Sequence, residues 1–158
     1  MAFMLTYDEN MCSSFMQTLC PSAKLSVKCK VKGWRLVLRK FFAGAEFSIE
    51  PGAEEDSVPA VLWEIDSADE KDLAAFYPKE LYEKILFSFH TGESRIAAFA
   101  FVLRNHETAL PEDEYIEKIA AAYAEHDFDF WFVEQAMDTA ADSMKGGSED
   151  GTLHTGTA

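Results

Sequence analysis

The chain is short of basic residues and lacks the residue spacings that mark metal and phosphate sites. It has 14 Lys and Arg residues against 28 Asp and Glu residues, which gives a net charge of −14. Such an acidic surface repels the phosphates of nucleic acid, so we expect no nucleic-acid partner. The four histidines form no His-x-x-x-His pair, and no glycine-rich phosphate loop is present. We therefore expect no metal and no cofactor.

Cysteines and long apolar runs are also scarce. The three cysteines, Cys12, Cys20 and Cys29, form no Cys-x-x-Cys pair, which predicts free thiols in a reducing compartment. The apolar run at residues 1–7 is too short to span a membrane and has no basic flank before it, unlike a signal peptide. We predict a cytoplasmic protein that does not bind membranes.

What the sequence does contain is enough apolar material for one folded domain. The chain has 158 residues, of which 48% are hydrophobic and 13 are phenylalanine. Residues 1–142 carry the periodic apolar pattern, and we assign them to a single domain. Residues 143–158 are mainly Gly, Ser, Thr and acidic residues, which predicts a disordered tail.

The local patterns predict a mixture of strands and helices. Residues 2–7 and 58–65 are typical of buried strands, and residues 9–19 have the apolar spacing of a helix. Ser67 and Glu70 have the spacing of a capping box, which predicts a short helix with Leu73 and Phe76 facing inward and an end at Pro78. Six or seven strands and three or four helices follow one another without regular alternation. We therefore predict an α+β fold with a small mixed β-barrel or curved sheet flanked by helices.

An ordered series of short motifs runs through residues 2–137. A strand leads into a Tyr-x-x-Asn loop and a helix that ends in Cys-Pro. An Ile-x-Pro loop, a Val-Pro-x-x-x-Trp-x-Ile strand, a capped helix and a Tyr-x-Lys strand follow. The corresponding residues are Tyr7-Asp8-Glu9-Asn10, Cys20-Pro21, Ile49-Glu50-Pro51, Val58 to Ile65, Leu73 to Pro78, and Tyr82-Glu83-Lys84, followed by Tyr115 near the start of a C-terminal helix. In this order the motifs resemble those of the gamma-glutamylcyclotransferase-like family.

The resemblance implies both a fold and a reaction. The fold would be a small mixed barrel flanked by helices. In the reaction, a glutamate near the end of the capped helix takes a proton from the substrate's α-amine. That amine then attacks the γ-glutamyl carbonyl and releases 5-oxoproline. A Tyr-Gly-Ser-Asn loop holds the substrate carboxylate, partly through backbone N–H groups.

The chain departs from the family at the residues that carry this chemistry. The aspartate and glutamate of the helix-end motif are replaced by Ala74 and Tyr77, and the Gly-Ser of the loop by Asp8 and Glu9. Tyrosine has a pKa of about 10 and is a poor base at neutral pH. Two carboxylates in the loop should repel a substrate carboxylate and favour a cationic group.

Three hypotheses follow. The first is a protein of this fold that has lost the catalytic glutamate and the anion loop, and that binds a small, amine-bearing ligand or a protein partner as a monomer or homodimer. The second is a divergent active cyclotransferase that uses a substitute carboxylate such as Glu80. The third is an acidic decoy that mimics nucleic acid. For the first, the expected ligand-binding residues are Tyr7, Asp8, Glu9, Asn10, Tyr77 and Tyr115.

Overall fold

The computed structural model contains seven strands and four α-helices within the described residues. It describes residues 2–157, and it describes side chains for residues 2–90 and 92–145. The strands are β1 (Ala2–Thr6), β2 (Lys24–Lys32), β3 (Trp34–Phe41), β4 (Gly44–Pro51), β5 (Ser57–Ile65), β6 (Tyr82–Thr91) and β7 (Ser94–Leu103). The helices are α1 (Ser13–Leu19), α2 (Glu70–Phe76), α3 (Asp113–Glu125) and α4 (Trp131–Thr157).

Five of the strands form one mixed sheet in the order β2-β5-β1-β7-β6. Strand β5 is buried along most of its length because it is apolar on both faces and lies between β2 and β1. Strand β1 pairs antiparallel with β5 and parallel with β7, so it is placed near the middle of the sheet. Trp63 anchors this region, and its Nε1 donates a hydrogen bond to Thr6 Oγ1 at 2.8 Å. The α+β prediction is confirmed.

The remaining strands, β3 and β4, form a separate antiparallel hairpin. One link to the large sheet is the backbone N–H of Leu103, which donates to Ser48 Oγ at 3.0 Å. Strands β2 and β6 lie at the two ends of the large sheet rather than pairing with the hairpin. Within the described residues the strands therefore do not close a barrel, and the barrel in our prediction is corrected to an open sheet with a packed hairpin.

The predicted helix over residues 9–19 is broken in two. A short 3-10 helix spans Glu9–Met11, and α1 begins at Ser13 because Cys12 between them is extended, with φ −70° and ψ 123°. The Ser13 N–H has no partner within the helix because it lies at the start of α1, and it donates to the Glu125 carboxylate at 3.0 Å. Because of this break, the first helical turn ends at Met11, and the loop that follows β1 stays compact.

The helix after β5 also differs from its prediction in detail. A 3-10 turn at Ser67–Asp69 precedes α2, and neither N-cap makes a side-chain hydrogen bond. The predicted capping box is absent, and Asp69 instead accepts a hydrogen bond from the Ser22 N–H at 2.9 Å. Leu73 is buried as predicted. The prediction for Phe76 is wrong: Phe76 is the last residue of α2, and it is 43% exposed.

Two further features complete the fold. The three cysteines are free, as predicted. Across the helices of the described residues, none is both long and apolar enough to cross a membrane. Much of the predicted tail, residues 143–158, lies outside the residues whose side chains are described. The tail and the domain boundary at residue 142 therefore stay predictions.

Candidate ligand site

The loop that follows β1 is organised by the side chain of Asp8. Asp8 is the N-cap of the 3-10 helix, and its Oδ1 accepts a hydrogen bond from the Asn10 backbone N–H at 3.0 Å. Its other oxygen, Oδ2, accepts a hydrogen bond from the Tyr77 hydroxyl at 2.7 Å. Asp8 therefore shapes the loop and also joins it to the end of α2.

Tyr77 follows α2 directly and lies inside the protein. It is 3% exposed, and its ring stacks on Phe101 with centroids 4.5 Å apart and planes 7° apart. The hydroxyl donates to Asp8 and accepts from Asn10 Nδ2 at 2.8 Å. Burial, followed by the neighbouring Asp8 and Glu9 charges, raises the pKa of Tyr77 well above its ordinary value. The hydroxyl thus stays protonated at neutral pH and acts as a hydrogen-bonding group rather than as a base.

Three carboxyl groups, those of Asp8, Glu9 and Glu46, are gathered beside this loop; we call them the acidic site. Burial is the main cause that raises the pKa of each group. The pKa of Glu9 rises to about 8, because Asp8 and Glu46 add their repulsion to the effect of burial. At neutral pH, bound protons therefore neutralise part of the negative charge of the site, and a cation could displace them.

Glu46 was missed by the sequence reasoning. It lies on β4 between the buried residues Ala45 and Phe47, on the opposite face of the strand. Its Oε1 accepts a hydrogen bond from the Tyr82 hydroxyl at 2.7 Å. An acidic residue in an alternating strand usually faces solvent, so the pattern alone carries no sign that Glu46 belongs to a site.

Four tyrosines surround the acidic site. In addition to Tyr77 and Tyr82, the Tyr7 hydroxyl donates to the Phe101 carbonyl, and the Tyr115 hydroxyl accepts from the Phe47 N–H at 2.9 Å. The pKa values of all four are raised, first by burial and then by nearby carboxyl groups. Two of the neutral hydroxyls, those of Tyr77 and Tyr82, donate to Asp8 and Glu46 and orient these carboxyl groups without neutralising them.

The structure thus brings together six of the sequence-predicted residues: Tyr7, Asp8, Glu9, Asn10, Tyr77 and Tyr115. Glu80 is placed differently. It is exposed and lines a cleft of about 640 Å³ together with Tyr77 and Tyr82, whose hydroxyls donate to Asp8 and Glu46 of the acidic site. The idea that Glu80 serves as a base stays a prediction.

The acidic site suits a positively charged organic group. Among the described residues, the cation that lowers the pKa values of Glu9 and Glu46 is Lys118 on α3, and it is exposed. Among the described residues, no three His, Cys, Asp or Glu side chains are grouped so as to hold a metal ion. Carboxylates with tyrosine hydroxyls are groups that can accept hydrogen bonds from an ammonium.

Comparison with known proteins supports the fold. No protein-family model matches the chain, and no curated protein sequence matches it. A solved structure named gamma-glutamyl cyclotransferase matches with a TM-score of 0.74 at 19% identity, covering 85% of each chain. An uncharacterized protein from Homo sapiens matches with a TM-score of 0.72 at 19% identity, again covering 85% of each chain.

A third solved structure extends the similarity. YkqA from Bacillus subtilis matches with a TM-score of 0.69 at 14% identity, covering 89% of this chain and 54% of that one. At identities of 14% to 19%, these matches show the fold alone and do not show an activity. The chain has the gamma-glutamyl cyclotransferase-like fold, as the motif order predicted.

Proposed function

We propose that this protein binds a small molecule carrying a protonated amine at the acidic site, and that it does not catalyse the cyclotransfer reaction. The observation that carries the proposal is the position of Tyr77. The resemblance assigns a catalytic glutamate to this point of the chain, and here a protonated hydroxyl is held between Asp8 and Asn10. A group with a raised pKa in that position does not take a proton from an amine at neutral pH.

The charge of the site supports an amine as the ligand. Asp8 and Glu9 stand where the family's loop binds a carboxylate, and Glu46 adds a third acidic group. An ammonium group that enters the site would favour the ionised carboxylates and would release the proton that Glu9 holds below pH 8. Amine binding should therefore strengthen as the pH rises from about 6 to about 9, while the amine itself keeps its charge.

One observation favours a second candidate, a divergent active enzyme. A carboxyl group with a pKa of about 8 is well matched to general-base catalysis near neutral pH, and Glu9 is such a group. Glu9 is therefore a stronger candidate for a substitute carboxylate than Glu80, which is exposed. In this reading the product from a γ-glutamyl amide would be 5-oxoproline.

Calorimetry with matched probes tests the binding proposal. We expect n-butylamine to bind, and n-butanol and butyrate, which are similar in size, to bind far more weakly. The Glu9→Gln variant should lose about tenfold in amine affinity, in line with the strength of a charged hydrogen bond. The Glu54→Gln variant removes an exposed loop carboxylate and should leave the affinity unchanged. Equal binding of the amine and the alcohol would overturn the proposal.

A 5-oxoproline assay separates the two candidates. Incubation with γ-glutamyl amines and γ-glutamyl dipeptides should give no product if the protein is a binding module. The Tyr77→Glu variant restores the residue type of the family motif and offers a gain-of-activity test. Turnover by the wild-type protein that is abolished in Glu9→Gln or Glu80→Gln would establish the enzyme instead.

Several other expectations stay predictions. They are the cytoplasmic location, the monomeric or homodimeric state, and a protein as the partner. They also include binding to a basic protein in place of nucleic acid, for which the expected sign is an affinity that falls steeply with salt.

A further inference from the structure

A second cleft lies between β3 and α4. Its volume is about 640 Å³, which is within the range of cavities that hold small organic ligands. None of the acidic-site residues lines it. The floor is apolar and is built from buried residues of both elements: Val37, Leu38, Ala136 and Ala140. We call this the β3–α4 cleft.

Trp131 provides a large aromatic surface at one end of this cleft. It is 52% exposed although it lies in the first turn of α4, next to the core. Phe132 packs against it edge to face, with ring centroids 5.1 Å apart. A half-exposed indole beside an apolar floor is a suitable surface for stacking a planar ring.

Arg35 provides a cationic group in the same cleft. The carboxylate of Glu50 lies nearby, but Arg39 takes both of its oxygens at 2.7 Å and His106 takes one of them at 3.0 Å. Arg35 is left 3.7 Å from Glu50, longer than a hydrogen bond, and its side chain is 54% exposed. Its N–H donors are therefore available to an anionic group, for which a guanidinium is a good partner.

The rim of the cleft limits the charge of a ligand. Glu55 and Asp56 line it, and the Asp56 carboxylate is engaged by the Ala53 N–H at 2.8 Å. An exposed Glu55 disfavours polyanions such as polyphosphates. On α4, Gln135 and Thr139 lie one turn apart and line the same cleft, where they offer neutral hydrogen-bonding groups. This lining therefore suits a ligand that has one anionic group on an otherwise apolar, planar body.

We propose that the β3–α4 cleft is a second binding site, and that it takes a small aromatic molecule with a single carboxylate or sulfonate. The ring stacks on Trp131 over the apolar floor, and the anionic group pairs with Arg35. This site has the opposite charge preference from the acidic site, and it does not depend on the function proposed there.

Two fluorescent probes test the second site. The first, 8-anilino-1-naphthalenesulfonate, has an aromatic body and one anionic group. The second, N-phenyl-1-naphthylamine, has the same rings without the charge. We expect saturable binding of the sulfonate at one site per chain. The Arg35→Gln variant should weaken the sulfonate about tenfold, as the loss of a charged hydrogen bond predicts, and should leave the neutral probe unchanged. Trp131→Ala should weaken both probes.

Two control variants make the result specific. Lys40→Gln removes another half-exposed cation from β3, and it should leave both probes unchanged. Leu86→Ser removes the most exposed leucine among the residues with described side chains, at 76%, which is an alternative place for an apolar dye. The proposal is overturned if Lys40→Gln acts like Arg35→Gln, or if Arg35→Gln weakens the two probes equally. Loss of the signal in Leu86→Ser alone, or binding that does not saturate, would also overturn it.

Discussion

Glu50 and Glu9 are two partly buried glutamates whose pKa values move in opposite directions. The pKa of Glu50 falls to about 2, first because Arg39 donates hydrogen bonds to it and then because of His106. The pKa of Glu9 rises to about 8, because it is buried and has Asp8 and Glu46 as neighbours. The difference is the partner. Glu50 has a guanidinium, whereas the hydrogen-bond partners of the acidic site are neutral tyrosine and amide groups.

This difference separates a structural carboxylate from a candidate binding carboxylate. A charge that the fold itself neutralises has little attraction left for a ligand, whereas a charge held only by neutral groups retains it. In the described part of the chain, ion pairs shorter than 4 Å are found at Glu50 and are not found at Asp8, Glu9 or Glu46. The acidic site thus has the electrostatic properties that an incoming ammonium requires.

Removing the partner of Glu50 should have the largest effect on stability. In Arg39→Met the carboxylate stays half-buried without its guanidinium, and we expect the free energy of unfolding to fall by about 3 kcal/mol. The matched control is Arg35→Met, which lies 3.7 Å from the same carboxylate, is half exposed and should cost less than about 0.5 kcal/mol. Urea denaturation measures both values. Similar losses in the two variants would show that Arg39 stabilises the Glu50 carboxylate no more than the neighbouring Arg35 does.

Removing the neutral partner of the acidic site should cost somewhat less. Tyr77→Phe deletes the hydroxyl that joins Asp8 to Asn10 and leaves both polar groups short of a partner, at a cost of about 2 kcal/mol. Tyr123→Phe is the control, because the buried Tyr123 hydroxyl has no hydrogen-bond partner among the described residues. That control should leave the stability unchanged or raise it. Denaturation curves in which both variants lose stability equally would argue that Tyr77 acts through packing alone.

Glu9 and Glu50 should each affect the stability of the protein in a different range of pH. Between about pH 5 and pH 8 the folded protein keeps the Glu9 proton that the unfolded chain has lost, so the free energy of unfolding decreases as the pH rises. The Glu50 contribution has the opposite sign, and it is lost as the pH falls from about 4.5 toward about 2.

Glu9→Gln isolates the first of these contributions. The variant should flatten the curve between pH 5 and pH 8 and should gain roughly 1 to 2 kcal/mol over the wild type at pH 8, after allowance for solvent screening. Denaturation at a series of pH values gives the slopes. A variant curve parallel to the wild-type curve would mean that Glu9 has an ordinary pKa.

Much of the scaffold could be predicted from the sequence, because it depends on local patterns. The buried strand β5 follows from its continuous apolar run, and the Asp129 cap of α4, seen in its 2.9 Å hydrogen bond to the Trp131 N–H, follows from residue type. The break at Cys12 could not be predicted, because the first N–H of α1, that of Ser13, is taken by Glu125, which lies 112 residues further along the chain. Phe76 was misplaced because helical spacing shows which face a residue is on, but not how far the neighbouring elements extend.

The site was predictable only where a motif could be compared. Tyr7, Asp8, Glu9, Asn10, Tyr77 and Tyr115 were named from the motif order, and the structure brings them together. Glu46 and Tyr82 join them through the packing of the hairpin against the sheet, a long-range contact that no local pattern encodes. The direction of the pKa shifts was equally out of reach, since it depends on which partner each carboxylate meets after folding.

The smallest effects are expected at Glu80, and they test whether the acidic site acts alone. Glu80 is exposed, so Glu80→Gln should change the free energy of unfolding by less than about 0.5 kcal/mol. It should also leave the n-butylamine affinity unchanged, because the cleft that Glu80 lines contains none of the three carboxyl groups of the acidic site. Calorimetry on Glu80→Gln and Glu9→Gln, side by side, measures this contrast. If Glu80→Gln weakened the amine as much as Glu9→Gln, the ligand would have to reach the outer cleft as well, and the acidic site would be only one part of a larger pocket.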